Sequence, residues 1–158
     1  MFPAPRAGRT AWRCGYNRVG GPYGMAKNPL SSLEPYAHAL LRMVMGLLFS
    51  LHGMQKLFGF FGGVGHGHTA AAFSLLWVAG VLECFGGALI TLGLFTRPVA
   101  FLLCGEMAVA YFKQHLSRGM WPIANGGELA VLYCFGFLYL SLAGAGPLSC
   151  DRLIRRKK

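Results

Sequence analysis

Charge is scarce in this chain, and acidic charge is scarcest. Only 13% of its 158 residues are Asp, Glu, Lys or Arg, about half the share usual in a soluble domain. Five residues are acidic against fifteen Lys and Arg, a formal net charge of +10. So few charges do not cover a water-soluble globule of this size. Also missing is any Cys-x-x-Cys pair. Cys14, Cys84, Cys104, Cys134 and Cys150 are irregularly spaced, and an odd, unpatterned set argues against a disulfide framework or a zinc site. Cys84, Cys104 and Cys134 fall inside apolar runs, where cysteine is an ordinary small apolar residue. There is no phosphate-binding loop, no Gly-x-Ser-x-Gly turn and no dinucleotide fingerprint. The 23 glycines follow no collagen-like period. No apolar signal-peptide core precedes Tyr36.

What is present is apolar length. The chain is 54% hydrophobic with mean hydropathy +0.47. Four runs stand out, Tyr36–Phe58, Ala72–Phe95, Pro98–His115 and Glu128–Ala145. At about 1.5 Å per residue, each reaches across roughly 30 Å of hydrocarbon as a helix. The predicted fold class is all-α, an integral membrane four-helix bundle. Punctuation between the runs agrees. Ser31-Ser32-Leu33-Glu34 has the capping-box pattern, and Thr96-Arg97-Pro98 reads as a tight turn with Pro98 in the first turn of the third helix. Asn125-Gly126-Gly127 breaks the chain before the fourth, and Gly144, Gly146 and Pro147 end it. The expected organisation is a basic, disordered tail over 1–35, a transmembrane domain over 36–147 and a basic cytoplasmic tail over 148–158. Within the first tail, residues 1–24 read as an extension ahead of a natural start at Met25.

The cations sit at the ends. Arg6, Arg9, Arg13, Arg18 and Lys27 precede the first run, and Arg152, Arg155, Arg156, Lys157 and Lys158 follow the last. Arg97 lies at the joint that an even number of crossings returns to the same side; Lys56, Lys113 and Arg118 lie opposite. This bias predicts both termini in the cytoplasm. It favours a lipid bilayer with anionic inner-leaflet lipids over a nucleic acid as the partner of the positive charge. Trp77, Trp121, Tyr111 and Phe112 suit headgroup depth.

Ionisable residues inside the apolar runs are the candidates for function. Glu83 and Glu106 fall within runs, and Glu128 opens the last. A charge at bilayer depth costs about 2.5–3.5 kcal/mol on insertion scales, so such residues point inward and pair. On the first helix, Arg42, His52 and Lys56 share one flank within about 80°. Glu83 has small neighbours at Ala79, Gly86 and Gly87, which let another helix approach. Counted from the Arg97 turn, Glu83 and Glu106 come to similar depth within roughly one helical turn. As neighbours they cannot easily both ionise, unless Arg42 or Lys113 matches one of them. Nearer the outer face, His52, Lys56, Gln114, His115 and Asn125-Gly126-Gly127-Glu128 gather. The glycines there offer backbone N–H groups to an anionic or carbonyl oxygen. Together the two groups outline a polar funnel. A purely structural account stands beside it: an ion-pair network in register, Lys56 snorkelling, Arg42 on a carbonyl, Glu128 as a helix-dipole partner. His66-Gly67-His68 lacks a nearby carboxylate, so no metal site is expected. His38 and His52 are roughly 21 Å apart along one helix, too far to ligate one iron. His52 and His115 bracket a haem only if their helices face one another, and haem is not expected.

Several motifs occur together and in order: Arg42 with Gly46, His52-Gly53-Met54-Gln55-Lys56-Leu57-Phe58-Gly59, Glu83-Cys84-Phe85-Gly86-Gly87, Leu92-Gly93-Leu94-Phe95-Thr96-Arg97, Glu106-Met107-Ala108 and Asn125-Gly126-Gly127-Glu128. Over about residues 36–147 the chain resembles the DoxX family through them. The resemblance implies a small four-helix protein of the bacterial inner membrane. The family takes its name from a relation to a membrane subunit of a thiosulfate:quinone oxidoreductase, and some members associate with thiol-redox or superoxide-handling partners. Its catalytic role is poorly defined, and it implies no cofactor ligand that can be placed here. The expectation is an oxidoreductase component meeting quinone or a sulfur or thiol substrate, with its status as an enzyme open. Glu83, Glu106 and His52 are the catalytic candidates; Arg42, Lys56, His115, Asn125 and Glu128 are the ligand-binding ones. With no evident electron carrier of its own, it would need quinone or a soluble or membrane redox partner. The alternatives are a proton-coupled small-molecule transporter and a non-catalytic scaffold for a redox complex. Glycine-rich faces also permit a homo-oligomer.

Overall fold

The computed structural model describes residues 29–65 and 67–156. The chain divides into two units, Met1–Ser31 and Ser32–Lys158, and the helices below belong to the second. The expectations for residues 1–28 (Cys14 among them), for His66 and for Lys157 and Lys158 lie outside the described residues.

Helix α1 spans Glu34–Phe58. The expected capping box does not form. Leu33 is the N-cap, with no side-chain bond, and Glu34 and Pro35 occupy the first turn instead, where a carboxylate suits the helix dipole and a missing N–H costs nothing. Gly59 stops the helix in a left-handed turn at φ 73°. Helix α2, Leu75–Leu92, is shorter than its apolar run. Ser74 Oγ caps its start by accepting from Trp77 N–H at 3.1 Å, and Gly93 ends it at φ 67°. A π turn, Leu82–Gly86, interrupts it midway. Helix α3 covers Thr96–Ala110 and runs on as a second π turn, Tyr111–His115. After a single turn at Pro122–Asn125, α4 spans Glu128–Ala143, and α5 spans Cys150–Arg156. The described residues contain helices and no strands. By length and composition α1 and α2 suffice to cross a membrane; α4 is a shorter apolar helix.

Helix α1 packs on α2, and α3 packs on α4. Glycine makes the first seam close. A Cβ on Gly87 would stand 2.6 Å from Gly46 O and Ser50 N, and one on Gly53 would collide with the Cys84 backbone. Small residues of this kind let helix backbones meet where lipid gives no hydrophobic drive. The two pairs join through Phe49, whose ring meets Phe137 edge-on at 4.8 Å, within a core that also holds Ile90, Leu103, Met107 and Leu140. Large apolar side chains such as Leu47, Phe85, Phe101 and Leu132 face outward. That pattern suits hydrocarbon and would be a liability in water.

One end of the assembly is locked by Arg42, which is fully buried. Its Nη1 donates to Ile90 O at 2.5 Å and Thr91 O at 2.6 Å, Nε to Ala145 O at 2.9 Å, and Nη2 to Leu148 O at 2.9 Å. The guanidinium thus reaches carbonyls in the last turn of α2, joining the Gly93 N–H on Ile90 O, and ties them to the chain leaving α4. His38 Nε2 adds a bond to Gly144 O at 2.9 Å. The segment from Leu148, expected as a tail, is also held here. The Asp151 carboxylate accepts from Phe95 N–H at 2.8 Å and Thr96 N–H at 3.0 Å. It caps α3 from a distance, where the helix's own N-cap, Phe95, has left-handed backbone at φ 49° and offers no capping side chain. Burial alone would raise the Asp151 carboxyl, but the Thr96 and Phe95 N–H bonds, with Arg155 nearby, hold it below the ordinary carboxylate value.

Two outcomes follow. Arg42→Lys keeps a charge but loses the planar fork, so it should cost about 3 kcal/mol or more, seen as a drop in thermal stability in detergent micelles. The lowered Asp151 carboxyl gives stability that is present above its unfolded pKa of about 3.9 and is lost as pH falls through the lower folded value. Asp151→Asn should therefore flatten the acid limb of the melting profile; an unchanged limb would contradict the cap.

Candidate functional site

Along the seam between α2 and α3 the helices part around a cavity of about 830 Å³, with α1 and α4 as its floor. Most of its wall is apolar, from Leu82, Phe101, Leu102 and Val109 among others. Polar groups reach it from all four helices: His52 and Lys56 from α1, Glu83 from α2, Glu106 and His115 from α3, Tyr133 from α4.

The two π turns do much of the positioning. Glu83 lies in Leu82–Gly86, and Lys113, Gln114 and His115 lie in Tyr111–His115; all four line the cavity. A π turn holds one residue more than the α spiral, turns the following side chains to a new face, and is frequent at functional sites. Neither turn is visible in the apolar periodicity.

Glu83 is buried, with 3% of its surface exposed, and its Oε1 pairs with Lys56 Nζ. The close approach of α1 and α2 at Gly53 and Gly80 makes that reach short, and Gly80 sits directly against the Lys56 and Leu57 side chains. The sequence reading matched a carboxylate with Arg42 or Lys113; the cation that does so is Lys56, because Arg42 is committed to carbonyls. Among the described residues Glu83 Oε2 and both carboxyl oxygens of Glu106 are buried without a hydrogen-bond partner. A buried polar group left this way costs roughly 1–3 kcal/mol or more. Two carboxyl groups thus face one cavity in which Lys56 is paired with Glu83 and Lys113 also lines the wall. His52 presents its ring edge-on to Tyr133, centroids 6.2 Å apart.

Five of the eight expected site residues line the cavity: His52, Lys56, Glu83, Glu106 and His115. Arg42, Asn125 and Glu128 do not. Arg42 belongs to the clamp at the far end of α1. Asn125 is buried in a turn, where its Nδ2 donates to Gly119 O at 2.7 Å and its Oδ1 accepts from Gly127 N–H at 2.8 Å. The amides of Gly126 and Gly127 also donate to Pro122 O. The N–H groups expected to hold an anion are therefore already engaged. Glu128 is exposed on the first turn of α4. His115 lines the cavity while its Nδ1 donates to Asn125 O at 3.2 Å. Tyr133 was missed in the sequence; a phenol inside an otherwise apolar run was the available signal.

Comparison with known proteins agrees with this membrane architecture. A Haemophilus influenzae protein of uncharacterised function is 45% identical over 133 residues, covering 82% of this chain and 99% of its own length. A Bacillus subtilis protein named "Putative oxidoreductase CatD" is 29% identical, covering 75% of this chain and 87% of its own. The Escherichia coli inner membrane protein YqjF is 28% identical, covering 81% and 99%. No solved structure matches. The chain is an integral protein of the bacterial inner membrane. Its residues 37–116 match the DoxX family profile, and with that match the chain belongs to the DoxX family.

Proposed function

We propose that the cavity takes an apolar redox molecule with carbonyl or sulfur atoms, a quinone or a thiol-type substrate, and that the protein serves as a membrane component of an oxidoreductase. The observation that carries this reading is Glu106: both of its carboxyl oxygens are buried and unpartnered beside an apolar cavity of about 830 Å³. A carboxyl group so placed can offer a proton to a substrate oxygen and take one back. Glu83, fixed on Lys56, sets the charge against which that exchange occurs. His52 and His115 offer imidazoles for passing the proton onward. The name of the B. subtilis relative lends support at the level of an oxidoreductase. In this reading α1 to α4 form a transmembrane four-helix bundle with both ends on the cytoplasmic side. The electrons come from a soluble or membrane partner; Gly46, Gly53, Gly80 and Gly87 are taken up by the α1–α2 seam, so a second copy alongside would rest on other residues.

A proton-coupled transporter would use the same carboxyl pair as a carrier, and the Lys56–Glu83 pair favours it equally. It differs in moving substrate without net electron transfer.

Glu106→Gln keeps the shape and removes the exchangeable proton. It should lower quinone reduction in reconstituted vesicles about 100-fold, with helix content unchanged. Full activity in that variant would overturn the oxidoreductase reading, and pH-gradient-driven flux without electron transfer would favour the transporter. Glu83→Gln should instead lower thermal stability, because it takes the charged partner from a half-buried Lys56.

A further inference from the structure

A second cavity, of about 290 Å³, lies at the Arg42 end of the molecule, between the start of α3 and the segment leading into α5. Its lining includes Arg97, Arg152 and Arg155. Several acceptors around them already hold other donors. Gly144 O takes a bond from His38, Ala145 O from Arg42 and Gly146 O from Ser149. Asp151, whose charge partly offsets that of Arg155, has both carboxylate oxygens on the Phe95 and Thr96 amides. Among the described residues, no ion pair engages any of the three guanidiniums. The floor is shaped for one of them. The Arg97 guanidinium lies against Gly144, where a Cβ would stand 3.2 Å from its Nε and where the backbone, at φ 87°, favours glycine. Three donor-only groups, all of them exposed, thus line one space in which Gly144 O, Ala145 O, Gly146 O and the Asp151 carboxylate each already hold a bond to another donor. Their chemical complement is an oxyanion with several acceptor oxygens, for which arginine's planar fork is the preferred protein partner. Exposed Phe95, Leu148, Leu153 and Ile154 flank this end and suit acyl chains.

We propose that this cavity binds a phosphate group, most readily that of an anionic phospholipid headgroup. The site is separate from the α2–α3 cavity and does not rest on the function proposed for it.

The test uses the full chain, purified and exchanged into nanodiscs of phosphatidylcholine with or without phosphatidylglycerol. Native mass spectrometry should find a phosphatidylglycerol retained, and Arg97→Gln with Arg152→Gln should weaken that retention about tenfold or more. Arg118→Gln, a cation outside the cavity, should leave it unchanged. Inorganic phosphate is the second arm. If it raises the melting temperature of wild-type protein in phosphatidylcholine alone while phosphatidylglycerol is not retained, the site stands and its ligand is a soluble phosphate. Loss of retention in Arg118→Gln equal to that in the double variant would overturn the proposal. So would equal retention in all three proteins, or the absence of both retention and phosphate stabilisation in the wild type.

Discussion

The charge balance of the membrane interior governs this molecule. Lys56 and Glu83 lie on adjacent helices within segments that are otherwise apolar, and each makes the other tolerable there. Their meeting depends on glycine: Gly53 and Gly80 bring α1 and α2 close enough for a lysine at the end of one helix to reach a carboxylate in the middle of the other. Once that pair forms, Lys56 is committed, and Glu106 remains on the opposite wall with no partner of its own. A buried pair contributes little net stability against an apolar replacement. Packing alone therefore gives a weak reason for Lys56, Glu83 and Glu106 to share one space with His52, Lys113 and His115.

The two ends of the helices divide the work. At one end Arg42, His38 and Asp151 join the exit of α2, the entry of α3 and the chain beyond α4 into one hydrogen-bonded knot. Along the α2–α3 seam, contacts give way to a cavity, and the helices lining it are locally loosened into π turns. A rigid knot beside a parted seam allows the seam to stay open without loss of the fold.

Much of this was legible in the sequence, for identifiable reasons. The four apolar segments were visible because hydropathy over some twenty residues is a strong signal. Their ends shifted by a few residues because Ser74, Gly93 and Leu33 set the caps locally. That His52, Lys56, Glu83 and Glu106 face one space followed from helical spacing and from the cost of charge in hydrocarbon. Which cation meets which carboxylate did not, since the π turn at Glu83 rotates its face and no periodicity announces it. Arg42 sits on the same flank as Lys56 in a helical projection, yet the carbonyls in the last turn of α2 claim it. Asn125 and its glycines carried a helix-start signal, but their hydrogen bonds close on Pro122 and Gly119. Asp151, outside every apolar run, gave no hint that it caps α3.

The central claim is that Glu106 presents a carboxyl group to an apolar space that a membrane-dissolved molecule can enter. An apolar carbodiimide reacts with carboxyl groups in such surroundings, and the modified residue is read by peptide mass spectrometry. In native membranes Glu106 should be modified ahead of Glu34 and Glu128, which lie outside the cavity, and a short-chain quinone should protect it. Modification of Glu34 and Glu128 with Glu106 untouched, or labelling of Glu106 that quinone leaves unchanged, would contradict the account.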